Sequence, residues 1–377
     1  MNMLRKILAM GLCVLFMLVS VGCNNSQNSK SPNNNNGSDK APVSKEKKED
    51  NVSDKVTDNV TDKVADKVEE DVELIPVSFR LNYTASGLHA PFYMALEKGY
   101  YEEVGLDVTM GEGTGSGTTA KLVGTGSDDI GLVDSASVGS SIAAGIEIKI
   151  VAPIYAVNGF GVITLEENGI NTPKDLEGKK VGIATGDGPS KLFAAVAGAS
   201  GVDESKINFV TMDSNSKVTS LINGQVDAVL GGADNEAVRI KNMGYNVKVL
   251  RHSDNGAPTV GLSVIASETY IANNQETIKK FITATMRAWN EARDNPDGAV
   301  DYILDDFPTM DRKTAVGGLE VALSSLFTES SKTLGDLSVS DWEKCRDLLV
   351  EYMGIDDSLK ATDLYTFECL PDNLPAR

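Results

Sequence analysis

Histidine and cysteine are scarce in this sequence, and positive charge is outnumbered. Two histidines, four cysteines and 35 Lys+Arg stand beside 54 Asp+Glu in 377 residues, for a formal net charge of −19. That balance excludes nucleic acid and anionic lipid surfaces as partners, because both would be repelled. No Cys/His spacing fits zinc, so no metal is expected. A glycine-rich stretch at 111–119, with Ser116 in it, lacks the closing Gly-Lys-Ser/Thr of a nucleotide-binding loop, although its backbone N–H groups precede a helical start near Thr118. Beyond the first 22 residues no run is apolar enough to cross a bilayer.

The amino end does carry an apolar run. Arg5 and Lys6 precede residues 7–21, which close on Ser20-Val21-Gly22-Cys23. This pattern resembles a lipoprotein signal, in which a small residue before cysteine permits cleavage and the freed thiol takes a lipid. Residues 1–22 are therefore expected to be a signal peptide and Cys23 a lipidation site. Fifteen apolar residues are short for a membrane span of about 20. Loss of Arg5 and Lys6 with the signal takes the charge from −19 to −21. Residues 23–72, rich in Asn, Ser, Lys, Asp and Glu, have too few apolar side chains to offset ordering entropy and read as a disordered charged tether. Valines 52, 56, 60, 64, 68 and 72 recur every four residues, which drifts round a helix and leaves no lasting stripe. In the body only Cys345 and Cys369 remain; they could pair outside the cell, but unpaired thiols are the default expectation.

Val77, Phe79 and Leu81 alternate with polar residues as a strand does; Leu88, Phe92 and Leu96 then recur at helical spacing up to Gly99, and 106–110 reads as a second strand. A βαβ unit puts its first loop, with Asn82 and Tyr83, at the carboxyl edge of a sheet, where ligands of open α/β sheets bind. The same argument selects residues that follow predicted strands or open helices: His89, Ser116, Thr118, Asp134, Ser135, Asn158, Asp187, Ser190, Asp234, Asn235 and Glu236. Trp289 and Trp342 read as core anchors.

His89-Ala90-Pro91-Phe92-Tyr93, with Ala95-Leu96-Glu97-Lys98-Gly99-Tyr100-Tyr101 and Gly105-Leu106-Asp107-Val108, resembles the first segment of substrate-binding proteins of ABC importers. The branch is the one for nitrate, taurine, aliphatic sulfonates and thiamine-pyrimidine precursors. Asp175-Leu176-Glu177-Gly178-Lys179-Lys180-Val181-Gly182 resembles the opening of its second lobe, and Gly224-Gln225-Val226-Asp227-Ala228 the turn before a buried strand. Asn235-Glu236 matches the pyrimidine-precursor binders, without the aromatic that precedes the pair there.

The resemblance implies an α/β, two-lobed type II periplasmic-binding-protein-like fold with two hinge crossings: lobe 1 at 73–163 plus 262–377, and lobe 2 at 164–261. It implies a non-enzymatic, monomeric protein without a cofactor. Such a protein would be lipid-anchored on the extracytoplasmic face and deliver a small-molecule ligand to an ABC permease. A fold-sharing pyrimidine synthase would need active-site histidines, a cysteine-rich loop and a cofactor-bearing lysine; His89 and His252 are the histidines available. Asp134, Asp187, Asp234 and Glu236 suit amino groups on a flat ring, as in a thiamine-pyrimidine precursor, and the nearest cations foreseen, Lys121, Lys191 and Arg239, start inside helices; helix amino ends at Thr118 and Ser190 could still hold an anion, which leaves an aliphatic sulfonate, taurine or nitrate as the alternative.

Overall fold

The computed structural model describes residues 73–377. The expected signal peptide, the tether and Cys23 lie outside the described residues.

The described residues open with β1 (Ile75–Arg80), α1 (Ala90–Glu97), α2 (Tyr100–Glu103), β2 (Leu106–Gly111), α3 (Ser116–Gly124), β3 (Ile130–Asp134), α4 (Ser135–Ala143) and β4 (Ile148–Pro153). They continue through β5 (Phe160–Leu165), β6 (Lys180–Ile183), α5 (Gly188–Ser200), β7 (Asn208–Thr211), α6 (Lys217–Ile222), β8 (Ala228–Gly232), α7 (Glu236–Asn242) and β9 (Val247–Arg251). Last come β10 (Leu262–Ser267), α8 (Glu268–Asp294), α9 (Pro296–Asp306), α10 (Arg312–Leu323), α11 (Val339–Met353) and α12 (Ala361–Leu364).

Two five-stranded sheets result, ordered β2-β1-β3-β10-β4 and β7-β6-β8-β5-β9. β1 runs parallel to β2 from Ile75 opposite Leu106 to Arg80 opposite Gly111, so the expected βαβ unit is present. Gly99, at φ 70°, takes the left-handed turn that ends α1 and lets the chain restart as α2, a short helix the sequence pattern did not foretell.

Each sheet contains one antiparallel strand second from an edge: β10 between β3 and β4, and β5 between β8 and β9. These are the strands that follow the two crossings. β5 pairs along its whole length in the second sheet, so the first crossing precedes Phe160, and residues 160–163 belong with lobe 2 instead of lobe 1 as their position in the chain suggested. The crossings brace each other: Asn158 N donates to Thr259 O at 2.9 Å, Asn158 Nδ2 to Ala257 O at 2.8 Å, and Gly261 N to Tyr155 O at 3.0 Å.

The first sheet's core gathers Phe79, Phe92, Phe281 and Trp289, with ring centroids 5.1 Å apart for Phe79–Phe92 and 5.8 Å for Phe92–Trp289. The apolar face foreseen on the long helix, Ile278, Phe281, Ile282, Thr285, Trp289 and Ala292, is buried on α8. Each such aromatic contributes about 1.5–3 kcal/mol by burial. Trp342 is also buried, stacked on Tyr365 at 4.5 Å. Among the described residues Cys345 and Cys369 are both buried and unpaired.

α11 touches helices of both sheets. A Cβ on Gly139 of α4 would meet Leu349 Cδ1 at 2.8 Å, and one on Gly198 of α5 would meet Tyr352 Cε1 at 2.2 Å, so both glycines admit close approach of that helix. Among the described residues no helix is long and apolar enough to cross a membrane.

Candidate functional site

The carboxyl ends of β1, β3, β6 and β8 converge on one cavity of about 90 Å³ between the two sheets. Asn82, Tyr83, His89, Ser116 and Asp134 line it from one side, and Asp187, Asp234, Asn235 and Glu236 from the other. Parallel strands end there because every crossover returns the chain to the same edge, leaving loops and helix starts to face the gap.

His89 is fully buried at the end of a 3₁₀ turn, Gly87–His89. Its Nδ1 accepts from Ser86 N at 3.1 Å, so Nε2 carries the proton and donates to Asn82 Oδ1 at 2.9 Å. Burial lowers the imidazole's pKa to about 3, keeping the ring neutral. With its oxygen held by His89, Asn82 presents its NH₂ group as a donor. Tyr83 adds a ring whose hydroxyl is pushed above its ordinary pKa by burial, with a Ser214 hydrogen bond partly opposing.

Asp134 and Asp187 cap helices. Asp134 accepts from Ser137 N at 2.9 Å to open α4, and Asp187 from Ser190 N at 3.0 Å to open α5. Two helix amino ends that could have held an anion are thereby occupied by the protein's own carboxylates. A Cβ on Gly188 would lie 2.6 Å from Phe160 Cζ of its own lobe and 2.7 Å from Asp134 Oδ2 of the other, so glycine is required where α5 starts against the cleft.

Lys217, at the start of α6, is 1% exposed and was missed by sequence reasoning. It donates to Asp187 and to Leu230 O at 2.7 Å and lies 3.8 Å from Glu236 Oε1. Glu236 Oε2 in turn accepts from Gly232 N at 2.9 Å. Asp234, beside Tyr155 Oη at 3.4 Å, has its carboxyl raised to about 7 by burial and then by Glu236. Tyr155 and Phe160, also unforeseen, complete the wall. Aromatic residues just before and after a crossing were the signal that could have found them.

Four expected residues stand apart from this lining. Thr118 is exposed on α3, and its N–H donates to Gly115 O at 2.9 Å. Ser135 is buried behind the site, where its hydroxyl donates to Val260 O. Asn158 braces the crossings as described. Ser190 contributes its backbone N–H to the Asp187 cap, and its hydroxyl is turned inward without a partner among the described residues. Being next to a cleft-lining residue in sequence does not aim a helical side chain at the cleft. Among the described residues no group of three His, Cys, Asp or Glu is arranged to hold a metal.

Two α/β lobes, paired crossings and a polar cavity at the strand ends define the type II periplasmic-binding fold. The chain belongs to the NMT1/THI5-like family, which it matches over residues 87–299. It is 24% identical over 302 residues to a formylaminopyrimidine-binding protein of Halalkalibacterium halodurans, covering 78% of this chain and 91% of that one. It is also 24% identical over 306 residues to a 4-amino-5-hydroxymethyl-2-methylpyrimidine phosphate synthase of Legionella pneumophila, covering 78% and 92%. Among solved structures, the periplasmic aliphatic sulphonate binding protein SsuA of Escherichia coli shares the fold, with a TM-score of 0.62 at 16% identity over 78% of this chain and 97% of that one.

Proposed function

We propose that this protein is the lipid-anchored, extracytoplasmic binding component of an ABC importer, and that its solute is a small, flat, amino-substituted heteroaromatic of the thiamine-pyrimidine-precursor class. The observation that carries the ligand reading is the pairing, in one small cavity, of a free donor with acid acceptors. Asn82 NH₂ suits a ring nitrogen, while Asp234 and Glu236 suit exocyclic amino groups, and Tyr83 offers a face for stacking. About 90 Å³ is below the ~150 Å³ that admits benzene in a dry engineered core, so a single ring must rely on slight opening of the lobes and a fused tricycle is disfavoured. A sulfonate or nitrate is disfavoured by the carboxylates around the cavity and by the capped starts of α4 and α5. The pyrimidine-binding relative supports the same class.

The enzymatic alternative finds little support in the cavity. His89 has both nitrogens engaged, Lys217 is engaged by Asp187 and Leu230, and neither Cys345 nor Cys369 is among the lining residues. Calorimetry with an aminopyrimidine, taurine, an alkanesulfonate and nitrate tests the ligand; tight sulfonate or nitrate binding without a pyrimidine signal would overturn it. Labelling with radioactive palmitate tests the anchor: label should enter the wild type and be absent from Cys23→Ser, and equal labelling of both would sink that part of the reading.

A further inference from the structure

A second hollow, of about 560 Å³, adjoins the ring cavity, and Tyr83, Ser86, Asp234 and Asn235 line both. It is bounded by both lobes. Asn242 of α7 reaches across to donate to Thr314 Oγ1 of α10 at 3.1 Å, so the hollow is assembled when the lobes approach, as the ring cavity is.

Its lining is balanced in charge, Arg239 and Lys313 against Asp234 and Asp311, where the ring cavity sets four carboxylates against Lys217. Arg239 and Lys313 line it, and neither has an acidic partner within salt-bridge distance among the described residues. Arg312, next in the chain to Lys313, pairs with both Asp297 and Asp301, so unpaired cations are not the rule on this helix. Of the two acids that line the hollow, Asp234 is shared with the ring cavity and sits beside Tyr155 Oη, and Asp311 is committed to capping α10, accepting from Thr314 N at 2.8 Å and Thr314 Oγ1 at 2.6 Å. Across the neck formed by Tyr83 and Asn235, a carboxylate-lined chamber therefore meets one with two uncommitted cations. A neutral single ring would fill the first chamber and leave those cations to water.

Resting on the aminopyrimidine reading above, we propose that the ligand is dipolar: an amino-substituted ring that bears an anionic group, a phosphate or carboxylate, on one substituent. The ring occupies the inner cavity and the anion lies on Arg239 and Lys313. Charge at both ends then fixes the direction in which the ring enters.

The test is calorimetry of the full-length protein with 4-amino-5-hydroxymethyl-2-methylpyrimidine and with its phosphate monoester, each at low and at high salt. The monoester should bind about tenfold more tightly, as two partly exposed charge contacts allow, and salt should shrink that ratio. In Arg239→Gln/Lys313→Gln the ratio of the two affinities should fall to near one. Equal or weaker binding of the monoester to the wild type overturns this inference and leaves the ring assignment standing. A preference that survives in the double variant also overturns it. Binding of neither compound sinks the aminopyrimidine reading and this inference together.

Discussion

Replacing Lys217 by methionine removes the one cation among the residues that line the ring cavity while keeping the bulk of the side chain. Its side chain is 1% exposed, and those of its partners Asp187 and Glu236 are 16% and 9% exposed. Removing one member of so buried a group leaves uncompensated charge and costs about 3–5 kcal/mol, a large part of a typical stability of about 5–15 kcal/mol. With an unfolding entropy of about 2.1 cal/mol/K per residue over roughly 300 residues, a loss of about 4 kcal/mol lowers the melting temperature by about 6 °C. Thermal unfolding followed by circular dichroism measures the loss. Lys217→Met/Asp187→Asn/Glu236→Gln, which neutralises the group at similar volume, should recover most of the loss. A loss under about 1 kcal/mol, or a triple variant no more stable than the single one, would refute the argument.

Three other outcomes are expected. His252 is fully buried between Phe160 and Phe193, with both ring nitrogens unpartnered among the described residues, and burial lowers its pKa from 6.5 to about 3; the unfolded chain therefore takes up a proton below pH 6.5 that the folded one refuses until near pH 3, and between pH 7 and 4.5 this site should remove up to about 3 kcal/mol of stability. Denaturant titrations should find that part of the acid loss missing in His252→Leu, with the opposing effect of Asp234 common to both proteins; an unchanged acid slope would refute the assignment. Gly188→Ala places a methyl group against Asp134 of the other lobe and should weaken ligand binding at least tenfold, while its contact with Phe160 lies within lobe 2, persists when the lobes part and lowers the melting temperature modestly; unaltered affinity would show that closure does not bring Gly188 against Asp134. Tyr83→Leu should weaken an aromatic ligand by about five- to tenfold, the worth of one stacked ring, and a ligand titration that finds no change removes Tyr83 from the site.

Local signals served well where chemistry and chain position coincide. The alternation at Val77-Phe79-Leu81 and the acids following β3, β6 and β8 were legible because a parallel strand, its loop and its helix start are consecutive in sequence. Lys217 was not legible: its partners Asp187, Leu230 and Glu236 lie on other elements, and among Asn215, Ser216 and Thr219 it reads as a solvated turn. The sheet to which Phe160 belongs is likewise decided by pairing with Gly232, which only the assembled topology supplies. Asn158 and Ser135 satisfied the positional rule and still serve the hinge and the packing behind the site, since the rule locates backbone and says nothing of where a side chain turns.

The exchange of strands at the crossings also sets an order in time. The second sheet is complete once residue 251 is available, because β5 to β9 are contiguous in the chain. The first sheet has to wait for β10, which alone joins β3 to β4. A chain that emerges amino end first can finish the later-encoded half before the earlier one, leaving β3 and β4 with open edges meanwhile. Such unpaired edges invite aggregation, and closing them requires contacts more than a hundred residues apart, which slows folding. The ligand cavity, whose lining draws on both sheets and runs to Leu262, cannot form before β10 is in place.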